Sequence, residues 1–102
     1  MKVGVILNPV AGGGRLKDQW PELSVVMRRH FGEVEMRETE QSGDAAALAL
    51  DFAADGYDLV IAAGGDGTTS EVADGLINAA IEKRGRAGMA LLPSGTGIDF
   101  AP

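Results

Sequence analysis

The chain has no cysteine, which excludes both a disulfide framework and a thiolate metal site. It has no apolar run of about 18 residues, the length a membrane-crossing helix needs. The opening stretch, Met1 to Leu7, is too short for a signal peptide before the glycine cluster that follows it. Cations are scarce: 9 Lys and Arg stand against 15 Asp and Glu, for a net charge of −6. That balance argues against a sequence-independent binder of nucleic acid or of a membrane surface. Repeats, low-complexity segments and linkers are also missing. The 102 residues therefore read as one domain, large enough for a core but small for an enzyme with two substrates. These absences lead us to expect a soluble, cytoplasmic chain.

What is present is 45% hydrophobic residues and 15 glycines, a composition suited to a compact α/β protein with many tight turns. Residues 2–7 read as a buried strand running into Asn8-Pro9-Val10-Ala11-Gly12-Gly13-Gly14-Arg15, a βα loop with a cation at its rim. A helix is expected from about Leu16 to Phe31, its main part opened by Pro21. Its apolar face is read as Trp20, Leu23, Val25, Val26, Met27 and His30, with Gly32 as the stop. Residues 33–39 alternate polar and apolar, as in a half-exposed strand ending at Thr39. Ser42-Gly43-Asp44 opens an alanine-rich helix to about Ala54, patterned by Ala47, Leu48, Leu50, Asp51 and Ala54. Residues 58–63 and 89–92 read as further buried strands.

The chain is organised around Ala62-Ala63-Gly64-Gly65-Asp66-Gly67-Thr68-Thr69-Ser70-Glu71, between a strand and a helix patterned by Val72, Leu76, Ile77, Ala80 and Ile81 to about Lys83. Glycines allow backbone N–H groups to approach a ligand, and a helix N-terminus adds unpaired donors and partial positive charge. Strand, glycine turn and helix start together suit a phosphate. The alternative is a tight turn only, with Thr68 capping the helix and Glu71 completing a capping box. The stretch is neither the dinucleotide fingerprint nor a P-loop, since no lysine follows.

Four strand–helix alternations predict a parallel sheet with helices on both faces. Ligands in such sheets sit beyond the carboxyl ends of the strands. Each strand is followed at that edge by a polar or glycine-rich loop, the last carrying Ser94 to Asp99. Four converging loops favour a ligand site over four unrelated turns.

The motifs Asn8-Pro9-x-x-Gly12, Gly64-Gly65-Asp66-Gly67-Thr68-x-x-Glu71-Val72-x-x-Gly75-Leu76 and Leu92-Pro93-x-Gly95-Thr96-Gly97-x-Asp99-Phe100-Ala101 resemble the diacylglycerol kinase catalytic domain family, bacterial lipid kinases and sphingosine kinases included. They occur in the family's order and span essentially the whole chain. Gly-Gly-Asp-Gly-Thr is shared with NAD kinases, and with phosphofructokinases in a serine form. The family often has asparagine where this sequence has Asp74 and Ile98. The resemblance implies a three-layer α/β/α fold with a mainly parallel sheet, like the N-terminal domain of NAD kinases and phosphofructokinases. It implies that residues 1–102 are the ATP-binding N-terminal domain of a lipid kinase whose β-rich C-terminal half lies beyond this chain.

The resemblance further implies that Asn8, Thr39, Gly64, Gly65, Asp66, Gly67, Thr68, Thr69, Ser70, Glu71, Gly95, Thr96 and Gly97 line the ATP site. Asp66 is its candidate acid/base residue; the alternatives are an indirect Mg²⁺ contact or a turn-stabilising hydrogen bond. ATP and Mg²⁺ are the implied cofactors, with no metal site in this chain itself. A membrane lipid is the implied acceptor, with peripheral membrane contact through the other half and no nucleic acid partner. Alone, this chain is expected to be inactive, and an uncovered apolar face would lead it to self-associate as a homo-oligomer.

Overall fold

The computed structural model describes residues 1–93. Its sheet is built from runs rich in Val, Ile, Leu and Ala. β1 (Lys2–Leu7) and β3 (Leu59–Gly64) are buried almost end to end, whereas β2 (Glu33–Glu38) is charged and largely exposed. With β4 (Gly88–Pro93) they form one all-parallel sheet in the order β2-β1-β3-β4. Alternate side chains of the central strands serve opposite layers. Val3, Val5, Leu7, Ile61 and Ala63 face α1 (Arg15–Phe31), while Ile6, Val60 and Ala62 face α2 (Asp44–Ala54) and α3 (Asp66–Ile81). The expected α/β/α architecture is the observed one.

The connections leave β1 and β3 towards opposite edges, so the carboxyl ends of these neighbours form a topological switch point.

Several sequence expectations about the helices are corrected. α1 begins at Arg15, one residue before the expected Leu16, where Gly12, Gly13 and Gly14 at φ 61, 71 and 87 turn the chain into the helix, and Pro21 does not open its main part. Pro21 sits inside the helix, where it denies the Lys17 carbonyl a donor. The buried Ser24 hydroxyl donates to the Pro21 carbonyl at 2.8 Å. The packed face of α1 is Leu16, Trp20, Leu23, Met27 and Phe31; Val25, Val26 and His30 point outward.

On the other side α2 presents Ala45, Ala49, Phe52 and Ala53, not Ala47, Asp51 and Ala54. α3 presents Thr68, Val72, Gly75, Leu76 and Ala79, leaving Ile77 and Ile81 exposed. The reason is close helix–helix packing. A Cβ on Gly75 would strike the Ala46 carbonyl, so nothing larger than glycine fits at that point of the α2–α3 contact. Bulk is supplied by Phe52, whose ring lies over Gly4 where a Cβ would come within 2.7 Å of it. Truncating such a buried ring typically costs about 3–5 kcal/mol.

Both helices on this side end in the same way. Gly56 follows α2 at φ 83, with Tyr57 N–H donating to the Phe52 carbonyl and Gly56 N–H to Ala53. Lys83 occupies the equivalent position after α3 at φ 57, with Arg84 N–H donating to Ala79. α3 therefore stops at Ile81 rather than running to Lys83.

Beside Phe52, the Tyr57 hydroxyl donates to Glu35 Oε2 at 3.1 Å, and Arg37 donates to the same oxygen at 3.1 Å. The Tyr57 bond, seconded by Arg37, holds the Glu35 carboxyl below its ordinary 4.5. Burial, then the bond to Glu35, pushes the Tyr57 phenol above 10.0.

Candidate functional site

Three loops meet beyond the carboxyl ends of β1, β2 and β3. The ladder hydrogen bonds continue into them: Asn8 N–H donates to the Ala63 carbonyl and Thr39 N–H to the Leu7 carbonyl, each at 2.9 Å. Asn8 is fixed further because its Oδ1 accepts from Val10 N–H at 3.2 Å, an Asx turn at the start of the loop. Gly64 ends β3 against this corner. A Cβ there would lie 2.8 Å from Thr68 Oγ1 and 3.3 Å from Asn8 Cβ, so glycine allows α3 to start directly over the strand.

The turn differs from a threonine-capped helix. The residue preceding α3 is Gly65, in extended conformation (φ −89, ψ −168), and no side chain caps it. The first helical bond here runs from Thr69 N–H to the Gly65 carbonyl at 3.0 Å. Asp66, Gly67 and Thr68 are thus the first three helical residues, and their N–H groups have no helical acceptor. Thr68 lies within the first turn and is buried at 8% exposure, so the expected box between Thr68 and Glu71 does not form. Glu71 Oε1 instead accepts from Gly43 N–H at 3.0 Å, ahead of α2. Neither Gly65 nor Gly67 needs to be glycine for its backbone, and among the described residues a Cβ on either would meet no atom of another segment within 4 Å. What a side chain at Gly67 would fill is cleft.

That cleft measures about 360 Å³ and opens between the loops. Of the residues expected at a site, Asn8, Thr39, Gly67, Thr68 and Glu71 line it. Gly64 is buried behind Thr68, and Gly65 and Asp66 form the exposed turn at the start of α3. Thr69 and Ser70 follow in α3 and are not among the lining residues. Gly95, Thr96 and Gly97 lie outside the described residues. The sequence placed the 39–44 loop at this edge but did not single out Glu40, Gln41, Ser42 or Ala45, which also line the cleft with Pro9 and Val10. The usable signal was Asp44, whose Oδ2 accepts from Glu40 N–H at 2.8 Å and Gln41 N–H at 3.0 Å and so shapes that loop.

Glu40 and Glu71 put negative charge on the cleft lining itself. Arg15 is exposed beyond the first loop, and Lys17 is engaged by Glu38 at 3.2 Å. Attraction for an anion at this cleft would come from the free N–H groups of α3 and its dipole. Among the described residues the Asp66 carboxylate accepts no hydrogen bond, and no group of three His, Cys, Asp or Glu could hold a metal ion. No helix among them is long and apolar enough to cross a membrane.

A glycine-turned helix start over a parallel-sheet switch point occurs in more than one nucleotide-handling fold, so the local geometry leaves the family open. The family model for the diacylglycerol kinase catalytic domain matches residues 2–102. This chain belongs to that family. It is 36% identical over 96 residues to a diacylglycerol kinase of Staphylococcus saprophyticus and 35% identical over 96 residues to one of Staphylococcus aureus. Each alignment covers 94% of this chain but only 30% and 29% of those proteins, so the chain spans under a third of the curated relatives it matches. The crystal structure of a diacylglycerol kinase from Bacillus anthracis str. Sterne superposes with a TM-score of 0.71 at 35% identity, covering 97% of this chain and 35% of that one. A second structure from that organism gives 0.78 at 34% identity, covering 97% of this chain and 34% of its own. Within the diacylglycerol kinase family fold, the departure at Asp74 is an exposed position on α3, away from the cleft.

Proposed function

We propose that this chain is the ATP-holding part of a lipid kinase that moves the γ-phosphoryl of ATP to a hydroxyl of diacylglycerol or a related lipid. The observation that carries the reading is Gly67, a cleft-lining helical residue whose missing side chain is required neither by its backbone nor by packing among the described residues. Space for a phosphate beside three free N–H groups explains it. Asn8 and Thr39 would contact the rest of the nucleotide, and Gly95, Thr96 and Gly97 would complete the site. Family membership supports phosphoryl transfer to a lipid acceptor.

In that reaction the bond from γ-phosphorus to the β,γ-bridging oxygen breaks and a bond to the lipid hydroxyl oxygen forms. The hydroxyl proton must pass to a base. Asp66 is exposed next to the cleft-lining Gly67 and its carboxylate makes no hydrogen bond among the described residues, which leaves it free for that role. Mg²⁺ would arrive with the nucleotide and neutralise phosphate charge. The described residues offer no cluster of their own to hold it. Lipid contact would fall to parts of the enzyme beyond this chain.

The test is a thin-layer assay of the full-length enzyme with labelled ATP against a lipid panel and NAD. Labelled phosphatidic acid or a related phospholipid is expected. Label in NADP with every lipid unlabelled would replace this reading with an NAD kinase. In the same assay Asp66→Asn should abolish transfer; unchanged turnover would remove its acid/base role.

A further inference from the structure

Glu71 leaves its own helix to bond Gly43, 28 positions away. Gly43 precedes α2 at φ 94 and ψ −21, and no side chain caps that helix. In a capping box the third helical residue offers a carboxylate to the N–H of the residue before the helix. In α2 that third residue is Ala46, which has none. Glu71 supplies the missing carboxylate from the neighbouring helix.

The reach depends on helix spacing. Gly75 lies one turn along α3 from Glu71, and a Cβ there would strike the Ala46 carbonyl and sit 2.9 Å from Ala49 Cβ. Its absence brings α3 against the first turn of α2, where Gly43 comes within range. Asp44 then orders the segment from the other side through Glu40 and Gln41 N–H. Two carboxylates thereby hold backbone N–H groups at residues 40, 41 and 43, in the segment whose Glu40, Gln41 and Ser42 line the cleft.

We propose that Glu71 is a positioning residue that sets the width of the cleft by tying the 39–43 loop to α3. Ligand affinity then depends on a bond Glu71 makes to the protein. The inference deepens the proposed function and rests on it only for the identity of the ligand.

Three variants test it: Glu71→Ala, Glu71→Gln and Gly75→Ala. Amide hydrogen exchange at Glu40, Gln41 and Gly43 is read without nucleotide, and MgATP is titrated by calorimetry. Exchange at Val5 and Ile61, in the central strands, reports whether the fold is intact. Loss of one carboxylate–amide bond predicts about tenfold faster exchange at Gly43 and about tenfold weaker MgATP binding in Glu71→Ala. Glu71→Gln keeps an acceptor oxygen and should recover most of both effects. Gly75→Ala should release Gly43 with Glu71 still in place. Unchanged Gly43 exchange in Glu71→Ala overturns the proposal. So does faster exchange with undiminished affinity, or an equal loss in the Ala and Gln variants. If the wild type fails to bind MgATP while the exchange results hold, the tie stands and the proposed function falls.

Discussion

Gly67→Ala should make the protein more stable and less able to bind nucleotide. The position is the second residue of α3, outside the left-handed region, and among the described residues a methyl there meets no atom of another segment within 4 Å. Alanine is favoured over glycine in a helix by about 0.5–1 kcal/mol. For a chain of this size such a gain raises Tm by about 2–8 °C. The same methyl enters the cleft beside the free N–H groups. Displacing a phosphate from one charged hydrogen bond forfeits about 1.5–3 kcal/mol, or about 10- to 150-fold in Kd. Scanning calorimetry measures the first effect and MgATP titration the second. A lower Tm would show that the position is not open. A higher Tm with unchanged Kd would refute the claim that the glycine is there for a phosphate.

Other substitutions follow from the same geometry. Gly64→Ala should destabilise by about 1–3 kcal/mol in urea unfolding, because its Cβ overpacks Thr68 and Asn8. Lys83→Gly should stabilise by about 0.5–1 kcal/mol in the same assay, since Lys83 holds a left-handed conformation at φ 57. The single tyrosine allows a clean phenol titration by absorbance: Tyr57 should ionise above 10.0 when folded. A raised folded pKa means its contribution to stability is full below 10.0 and is lost as pH rises through the folded value. For Glu35 the shift is downward, so its contribution is present above 4.5 and is lost as pH falls through the folded value, with a small amplitude because the side chain is 47% exposed. Replacing Tyr57 by Phe should reduce the Glu35 part of the acid-limb dependence, leaving the share that Arg37 supplies.

The order and kind of the elements were readable because glycines and β-branched runs punctuate this chain locally. Gly32 ended α1 and α2 ended at Ala54 as expected, and residues 2–7 formed a buried central strand. The inward faces of the helices were less readable. Val25, Val26, Ile77 and Ile81 are apolar yet exposed, while Gly75 and Ala79 face inward, because close approach of α2 and α3 selects for size rather than hydrophobicity. At the site, Asn8, Thr39, Gly67 and Thr68 were legible as residues ending strands or starting a helix. The partner of Glu71 was not. Thr68-x-x-Glu71 matches a local capping pattern, and nothing within α3 signals that Gly43 of another loop competes for the carboxylate and wins.

The division of the core into two layers leaves one chromophore in each. Trp20, the single tryptophan, lies on α1 and packs in the layer between that helix and the sheet, and Tyr57, the single tyrosine, belongs to the layer of α2 and α3. Indole fluorescence and phenol absorbance therefore report on opposite sides of the same sheet without any introduced label. Coincident denaturation curves at the two signals would mean that the sheet transmits cooperativity between its faces. Separated curves would identify which layer loosens first, and on the Tyr57 side loosening would undo the α2–α3 contact on which the cleft wall depends.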